Sequence, residues 1–409
     1  MKLRERIIIF LILLPAFLLA GCAPISEMPR EQSRSGQLPF DSVEEAGKMD
    51  DLDLHSLGKA VALSIQYYEK VGAKGSYCLG EKCYSSREMI DGLKKFLRIM
   101  RQEDMMAEEK ERKIREEFVL VRVGSTAGNG AGVEGDVLFT GYFEPILEGS
   151  LTKTERFRYP LYKTPDETVV VPVDRADGQD GQDKFVGRLH NGEVIPHFSR
   201  REIDENGILS GRGLEIAWVD DPVALFLLHI QGSGKIRLPD GRLLHVTYAQ
   251  SNGRSFRGLT GMMVEKGFLQ ENGKSYEQMK RFLIDHPEER QELMNYNERY
   301  VFFRTATEGP LGALNLPLVA GRSIATDLDI YPRGALALIK TRKPVYDENG
   351  KITSWQSFSR FVLNHDTGAA IKGPGRVDIF CGTGEAAERT AGAMKENGEL
   401  YFLGVRLNH

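Results

Sequence analysis

The stretch DTGAAIKGPGRVDIF, Asp366 to Phe380, decides how this chain is read. Its last five residues alternate. As a strand, RVDIF puts Arg376, Asp378 and Phe380 on one face and Val377 and Ile379 on the other. The glycines before it mark a turn. Two aspartates frame a lysine and an arginine, and two readings compete: a loop closed by a salt bridge, and an acid/base site. An aromatic neighbour would desolvate Asp378 and raise its pKa, whereas Arg376 or a nearby helix N-terminus would lower it. A general acid needs the first effect to win. Taken alone, the residue types favour the salt bridge.

The texture around this stretch is strand-like from Tyr300 to Ile379. A helix over GTGEAAERTAGAMKENG follows, with Thr383 as N-cap and Gly398 as stop, and then a last strand. Short apolar or alternating runs such as FVLVRV, GDVLFTGYF and TVVVPV fill the region from Phe118 to about Val246. Residues 51–118 have helical periodicity. There SSREMIDGLKKFLRIM carries a capping box, Ser85 with Glu88, and one apolar face of Ile90, Leu93, Phe96, Leu97 and Met100. That stripe is core packing. A second helical interval includes SYEQMKRFLIDHPEERQELMN. Strand-rich, helical, then strand-rich again predicts a mainly β protein with helices (α+β), in which one β module is inserted in another. The expected main domain is 51–140 plus 247–409, and the insert is 141–246.

The chain has 409 residues, an ordinary globular composition and a formal net charge of −4. Lysines and arginines are interspersed with acids, so no nucleic-acid footprint is present. MKLRER followed by IIIFLILLPAFLLA reads as a leader over residues 1–21, too short to span a bilayer comfortably. LAGC, Leu19 to Cys22, resembles a bacterial lipobox. Lipidated Cys22 would then be the membrane anchor, and residues 22–50 a polar tether. Ala23 after the cysteine favours the outer membrane, facing the periplasm, by resemblance to sorted lipoproteins. Cys78 and Cys83 lie close together in an oxidising compartment, and a small disulfide loop is compatible with them. Cys381 reads as a small core residue. Neither CxxC nor HExxH occurs, so no zinc site is expected. Asp177–Asp183, DGQDGQD, lacks EF-hand spacing and reads as a solvated turn.

Two further clusters carry polar chemistry. HIQGSGKIRLPDGRLLHVTYAQSNG, residues 229–253, has QGSG as a bare-backbone loop, Gln231 to Gly234. Gln231, Ser233 and Asn252 offer neutral donors and acceptors, Tyr248 offers a flat face, and Gly253 follows. Such a set suits an amide-bearing sugar; GxxxxGK[ST] is absent. FTGYFEP, Phe139 to Pro145, adds Tyr142 and Glu144; as residue types these fit a hairpin edge equally well.

Together these segments resemble the family of membrane-bound lytic murein transglycosylase A. The matching pieces occur in the family's order over roughly residues 135–405. They are FTGYFEP, SRREIDENGILSGRGLEIAWVDDPVALFLLHIQGSGKI, SNGRS, YVFFR, GRSIATDLDIYPRGALALI and DTGAAIKGPGRVDIFCG. The resemblance implies a double-psi β-barrel with a smaller inserted β-barrel and a glycan groove between them. It also implies a region of three aspartates, about 319–382, which here are Asp327, Asp366 and Asp378. Asp329 is a rival for the first, because TDLDIYPRG departs from the family's turn. Residues 174–184 look like an insertion.

The implied reaction is that of a lytic exotransglycosylase on peptidoglycan, although residue patterns do not separate strand ends from interiors. Asp378 would protonate the oxygen leaving between N-acetylmuramic acid and N-acetylglucosamine. It would then take a proton from the muramyl C6 hydroxyl as that group attacks C1, giving a 1,6-anhydro end. The nucleophile is already tethered, so one carboxyl group suffices where hydrolases use two. Asp366 and Asp327 would support it. Tyr142, Glu144, Gln231, Gly232, Ser233, Gly234, Tyr248, Asn252, Gly253 and Lys372 are the candidate glycan-binding residues. No metal or organic cofactor is expected. A monomer is expected, and membership of cell-wall synthesis or division complexes is compatible with this address. The alternatives are a two-carboxylate hydrolase using Asp366 and Asp378, and a non-catalytic murein-binding lipoprotein.

Overall fold

The computed structural model describes residues 49–123, 136–174, 182–270 and 275–407. The expected leader, Cys22, nearly all of the tether and most of Asp177–Asp183 lie outside the described residues.

The described residues open with α1 (Leu54–Val71), a hairpin of β1 (Ser76–Leu79) and β2 (Lys82–Ser85), then α2 (Ser86–Met100) and α3 (Ala107–Glu117). Ser85 and Glu88 form the capping box expected of α2. Leu93, Phe96 and Leu97 of its apolar face are buried, while Ile90 and Met100 pack at the edge of the same core. The hairpin was not legible as strands. Its cross-strand pair Cys78–Cys83 is a disulfide.

Next come β3 (Phe118–Val123), β4 (Val137–Glu144), β5 (Ile146–Ser150), β6 (Tyr159–Tyr162), β7 (Thr168–Asp174), β8 (Gln182–His190) and β9 (Glu193–Pro196). They are followed by α4 (Arg200–Asp204), β10 (Glu215–Val219), α5 (Pro222–Gln231), β11 (Ser233–Arg237) and β12 (Leu243–Ser251). The expectation of continuous strands here fails at α5. PVALFLLHIQ is apolar all round, the pattern of a buried helix, and periodicity does not distinguish it from a buried strand. Its signals were the Asp221 cap, which accepts from Val223 N and Ala224 N, and Pro222 in the first turn. Three short helices, α6 (Leu259–Glu265), α7 (Tyr276–Asp285) and α8 (Pro287–Asn295), form the second helical interval.

The chain closes with β13 (Val301–Ala306), β14 (Ser323–Ala325), β15 (Leu336–Tyr346), β16 (Ile352–Asp366), β17 (Arg376–Thr383), α9 (Glu385–Ala393) and β18 (Lys395–Val405). The last helix is shorter than expected. Gly384, not Thr383, is its N-cap, and Gly398 lies inside β18. A Cβ at 398 would sit 2.2 Å from the Lys340 carbonyl oxygen, so that glycine marks a close strand approach rather than a helix stop.

Six strands close on themselves in the order β15-β16-β14-β17-β4-β18, with β18 pairing back to β15. This is the closed six-stranded barrel of a mixed α+β, mostly sheet protein. Two of its neighbour pairs are parallel, β14 with β16 and β17 with β4. Val377 and Ile379 point into its core beside Val137, Phe139 and Ile324. A second sheet runs β13-β12-β11-β5-β10-β6. Its pairing continues to Ala306, past the 246 expected as the end of the insert, because β12 and β13 pair with this sheet rather than returning to the barrel.

Candidate functional site

The barrel brings the two aspartates of the opening stretch to either side of one short strand. β17 lies between β14 and β4, and Asp378 registers with Ala325 of the first and Thr140 of the second. Asp366 ends β16 on the far side of β14 and registers with the same Ala325. The alanine between them has no side chain long enough to block either carboxyl group.

The two carboxyl groups differ in how they are held. Thr140 Oγ1 donates to Asp378 Oδ1 at 2.9 Å and accepts from Arg376 Nη2 at 3.3 Å. No donor from the described residues reaches the other Asp378 oxygen. Asp366 accepts from the Tyr142 hydroxyl at 2.8 Å on Oδ2, and from Ala313 N and Thr367 N, each at 2.9 Å, on Oδ1. Protein crowds both groups, and that burial pushes each carboxyl up to about 6. At Asp378 the Thr140 bond and Arg376 pull the other way and the Asp366 charge adds to the rise. At Asp366 its three donors pull down. The desolvation that a general acid requires therefore outweighs the neighbouring arginine.

Both acids open onto a cleft of about 730 Å³ between barrel and second sheet. Of the sequence candidates, Tyr142, Gln231, Gly232, Ser233, Tyr248 and Lys372 line it. Tyr142 has its hydroxyl on Asp366 and its ring 5.3 Å from that of Phe380. QGSG is not a free loop. Gln231 ends α5 with its side-chain oxygen accepting from Phe143 N, Gly232 caps the helix at φ 78°, and Ser233 already belongs to β11. The left-handed turn at 232 needs glycine. Tyr248 is 41% exposed on the cleft wall, and its hydroxyl donates to Gln250 Oε1 at 3.1 Å.

The remaining candidates lie off the cleft. Gly234 packs under Leu228 and the Pro145 carbonyl. Glu144 is 1% exposed, bound to Thr383 Oγ1 and paired with Lys235 at 3.1 Å. Asn252 is equally buried; its amide donates to the Phe198 and Glu298 carbonyls and its oxygen accepts from Tyr300 N. It pins three segments behind the wall. Gly253 abuts the Val186 carbonyl. Asp327 is 6% exposed; it accepts from Gly373 N at 2.9 Å and meets Lys372 Nζ at 3.3 Å, holding the loop that carries Lys372 into the cleft. The carboxylate of its rival Asp329 is exposed and meets Lys372 Nζ at 3.4 Å. Replacing Asp327 with alanine should raise amide exchange at Lys372 and Gly373 and raise KM several-fold with little change in kcat, read by mass-detected exchange and steady-state kinetics. The Cys381 thiol is pushed up to about 12 by burial and by Asp378, so it is no thiolate nucleophile.

Sequence reasoning missed Thr140, the Ala313 amide, and the cleft residues Phe256, Arg299 and Arg304. Thr140 stands in FTGYFEP, but only the parallel pairing of β4 with β17 sets it beside Asp378.

Similarity to known proteins follows the same segments. The family model "MltA specific insert domain" matches residues 138–304, and "3D domain" matches 322–404. Membrane-bound lytic murein transglycosylase A of Escherichia coli (strain K12) is 31% identical over 277 residues, which cover 67% of this chain and 67% of that protein. A membrane-bound lytic murein transglycosylase from Agrobacterium tumefaciens superposes with TM-score 0.70 at 30% identity, over 89% of this chain and 96% of that one. MltA from Neisseria gonorrhoeae superposes with TM-score 0.60 at 27% identity, over 87% and 91%. Matches to the insert and 3D models in sequence order, over a barrel that carries the two half-buried acids, lead to one conclusion: the chain belongs to the family of membrane-bound lytic murein transglycosylase A.

Proposed function

We propose that this protein is a lytic transglycosylase of peptidoglycan in which Asp378 alone serves first as general acid and then as general base. The observation that supports this reading is the unequal holding of the two carboxyl groups. Among the described residues no donor reaches one oxygen of Asp378, which faces the cleft, whereas Asp366 has both oxygens engaged. A carboxyl group near 6 holds a proton on a fraction of molecules at neutral pH, roughly a tenth at pH 7. That proton passes to the glycosidic oxygen between N-acetylmuramic acid and N-acetylglucosamine as the C1–O bond breaks. The resulting carboxylate receives the C6 hydroxyl proton as the C6 oxygen bonds to C1. No water enters, and the product is a 1,6-anhydromuramyl end. When ionised, Asp366, tied by Tyr142, Ala313 and Thr367, favours the protonated form of Asp378. Tyr248 stacks on a sugar face, and Gln231 and Ser233 bind acetamido or hydroxyl groups. The chain acts as a monomer in the cell envelope, lipidated at Cys22 and held to the outer membrane facing the periplasm.

Two outcomes test this. Incubation with purified sacculi should release soluble muropeptides; sedimentation of the protein with sacculi without release would identify a binder instead. The pH profile of kcat/KM should fall as pH rises through about 6, because the protonated form is lost there. In Asp366→Asn the raising charge is gone, so this limb should move to lower pH. An unmoved limb would remove Asp366 from the proposed role.

A further inference from the structure

Two cations stand on the second-sheet side of the cleft without an acidic partner among the described residues. Arg299 and Arg304 both line it. Their neighbours behave differently: Arg254 and Arg257 both pair with Glu298, at 3.6 and 3.7 Å. Arg299 makes only a long bond, Nη1 to the Arg254 carbonyl at 3.4 Å. Arg304 lies opposite Thr247, one register position from Tyr248. Its Nη2 donates to Asn315 Oδ1 at 2.7 Å. Asn315 is itself on the cleft and sits at φ 55°, a left-handed backbone that asparagine tolerates better than most residues. Arg304 is thus held in place by a neutral oxygen that leaves its charge uncompensated.

These charges are not spent on the catalytic pair. Arg376 is the one cation that pulls on Asp378, and no arginine bears on Asp366. A guanidinium group can donate to the neutral oxygens of a sugar, but its charge is matched only by an anion. Murein is not neutral, because its muramyl residues carry carboxylates. They lie on the peptide stem, or on the lactyl ether where the stem has been removed. A guanidinium recognises a carboxylate by charge-assisted, often paired hydrogen bonds. Resting on the function proposed above, we infer that Arg299 and Arg304 form an anion subsite on the second-sheet wall that binds the carboxylates of muramyl substituents and so selects murein over neutral glycans.

The test uses the full chain carrying Asp378→Asn, so that nothing is turned over, with and without Arg299→Gln and Arg304→Gln together. Kd is measured for three ligands at two salt concentrations: a neutral chito-oligosaccharide, glycan strands denuded of peptide, and stem-bearing strands. The double change should weaken binding of an anionic ligand about tenfold and remove most of its salt dependence, while leaving the chito-oligosaccharide unchanged. Loss confined to stem-bearing strands assigns the stem as the source of the anion; loss on denuded strands assigns the lactyl carboxylate. An equal loss on all three ligands, or none on any, overturns the subsite. These binding readouts do not depend on cleavage. A failure of the transglycosylase reading shows instead as parent protein that releases nothing from sacculi.

Discussion

Asp378→Asn should lower cleavage of sacculi by ~10²–10⁴-fold or more, the range typical of general acid/base action by one group. Asparagine keeps the shape and can still accept from Thr140 Oγ1, but it has no proton of the right acidity to give and no charge to take one back. Strand binding should survive, because the cleft walls are untouched. The same substitution carries a stability signature. The folded carboxyl group sits near 6, above its ordinary value of 3.8. Its contribution is therefore complete below the ordinary value and is lost as pH rises through about 6, where the half-buried, desolvated group must ionise. The variant should match the parent at pH 4 and exceed it by about 1–3 kcal/mol at pH 8, measured by denaturant unfolding at each pH. A structural salt bridge with Arg376 would give the opposite result: a variant less stable at pH 8.

The second large effect lies away from the chemistry. Arg322 is fully buried at the start of β14. Its guanidinium donates to both oxygens of Asp50 (2.8 and 2.7 Å), to the Phe361 and Asp53 carbonyls (2.8 and 2.9 Å) and to Ser56 Oγ (3.0 Å). It thereby fastens the start of α1 to the barrel. Burial raises the Asp50 carboxyl group and Arg322 offsets that rise. Arg322→Ala would strand a buried carboxylate and two carbonyls, and should cost about 3–5 kcal/mol. Chemical denaturation measures it. Adding Asp50→Leu should recover part of the loss, since the stranded charge is then gone. A loss under 1 kcal/mol would mean that water reaches the cluster.

What the sequence made legible was periodic or motif-like. The RVDIF alternation places Asp378 and Phe380 on one face of β17, and the Ser85–Glu88 box starts α2 where it should. What stayed hidden depends on distant segments meeting. Asn252 and Glu144 have the polar groups of glycan ligands, yet each spends them on protein partners behind the wall, and burial of that kind leaves no local mark. The sign of the Asp378 shift needed Ala325, Thr140 and Asp366 around it, drawn from three other strands. α5 was hidden because a mostly apolar, mostly buried helix has no polar face to set its period. Arg299 and Arg304 belong to the quoted YVFFR segment or its edge, but nothing local says that one pair of arginines meets a glutamate and the other meets the cleft.

In the proposed mechanism a single carboxyl group cuts the strand with the substrate's own alcohol as nucleophile. Mass analysis of muropeptides released in ¹⁸O-labelled water tests it most directly. Muramyl ends should be one water lighter than reducing ends, with no label incorporated. Reducing ends carrying ¹⁸O would contradict it and point to a hydrolase that uses both Asp366 and Asp378.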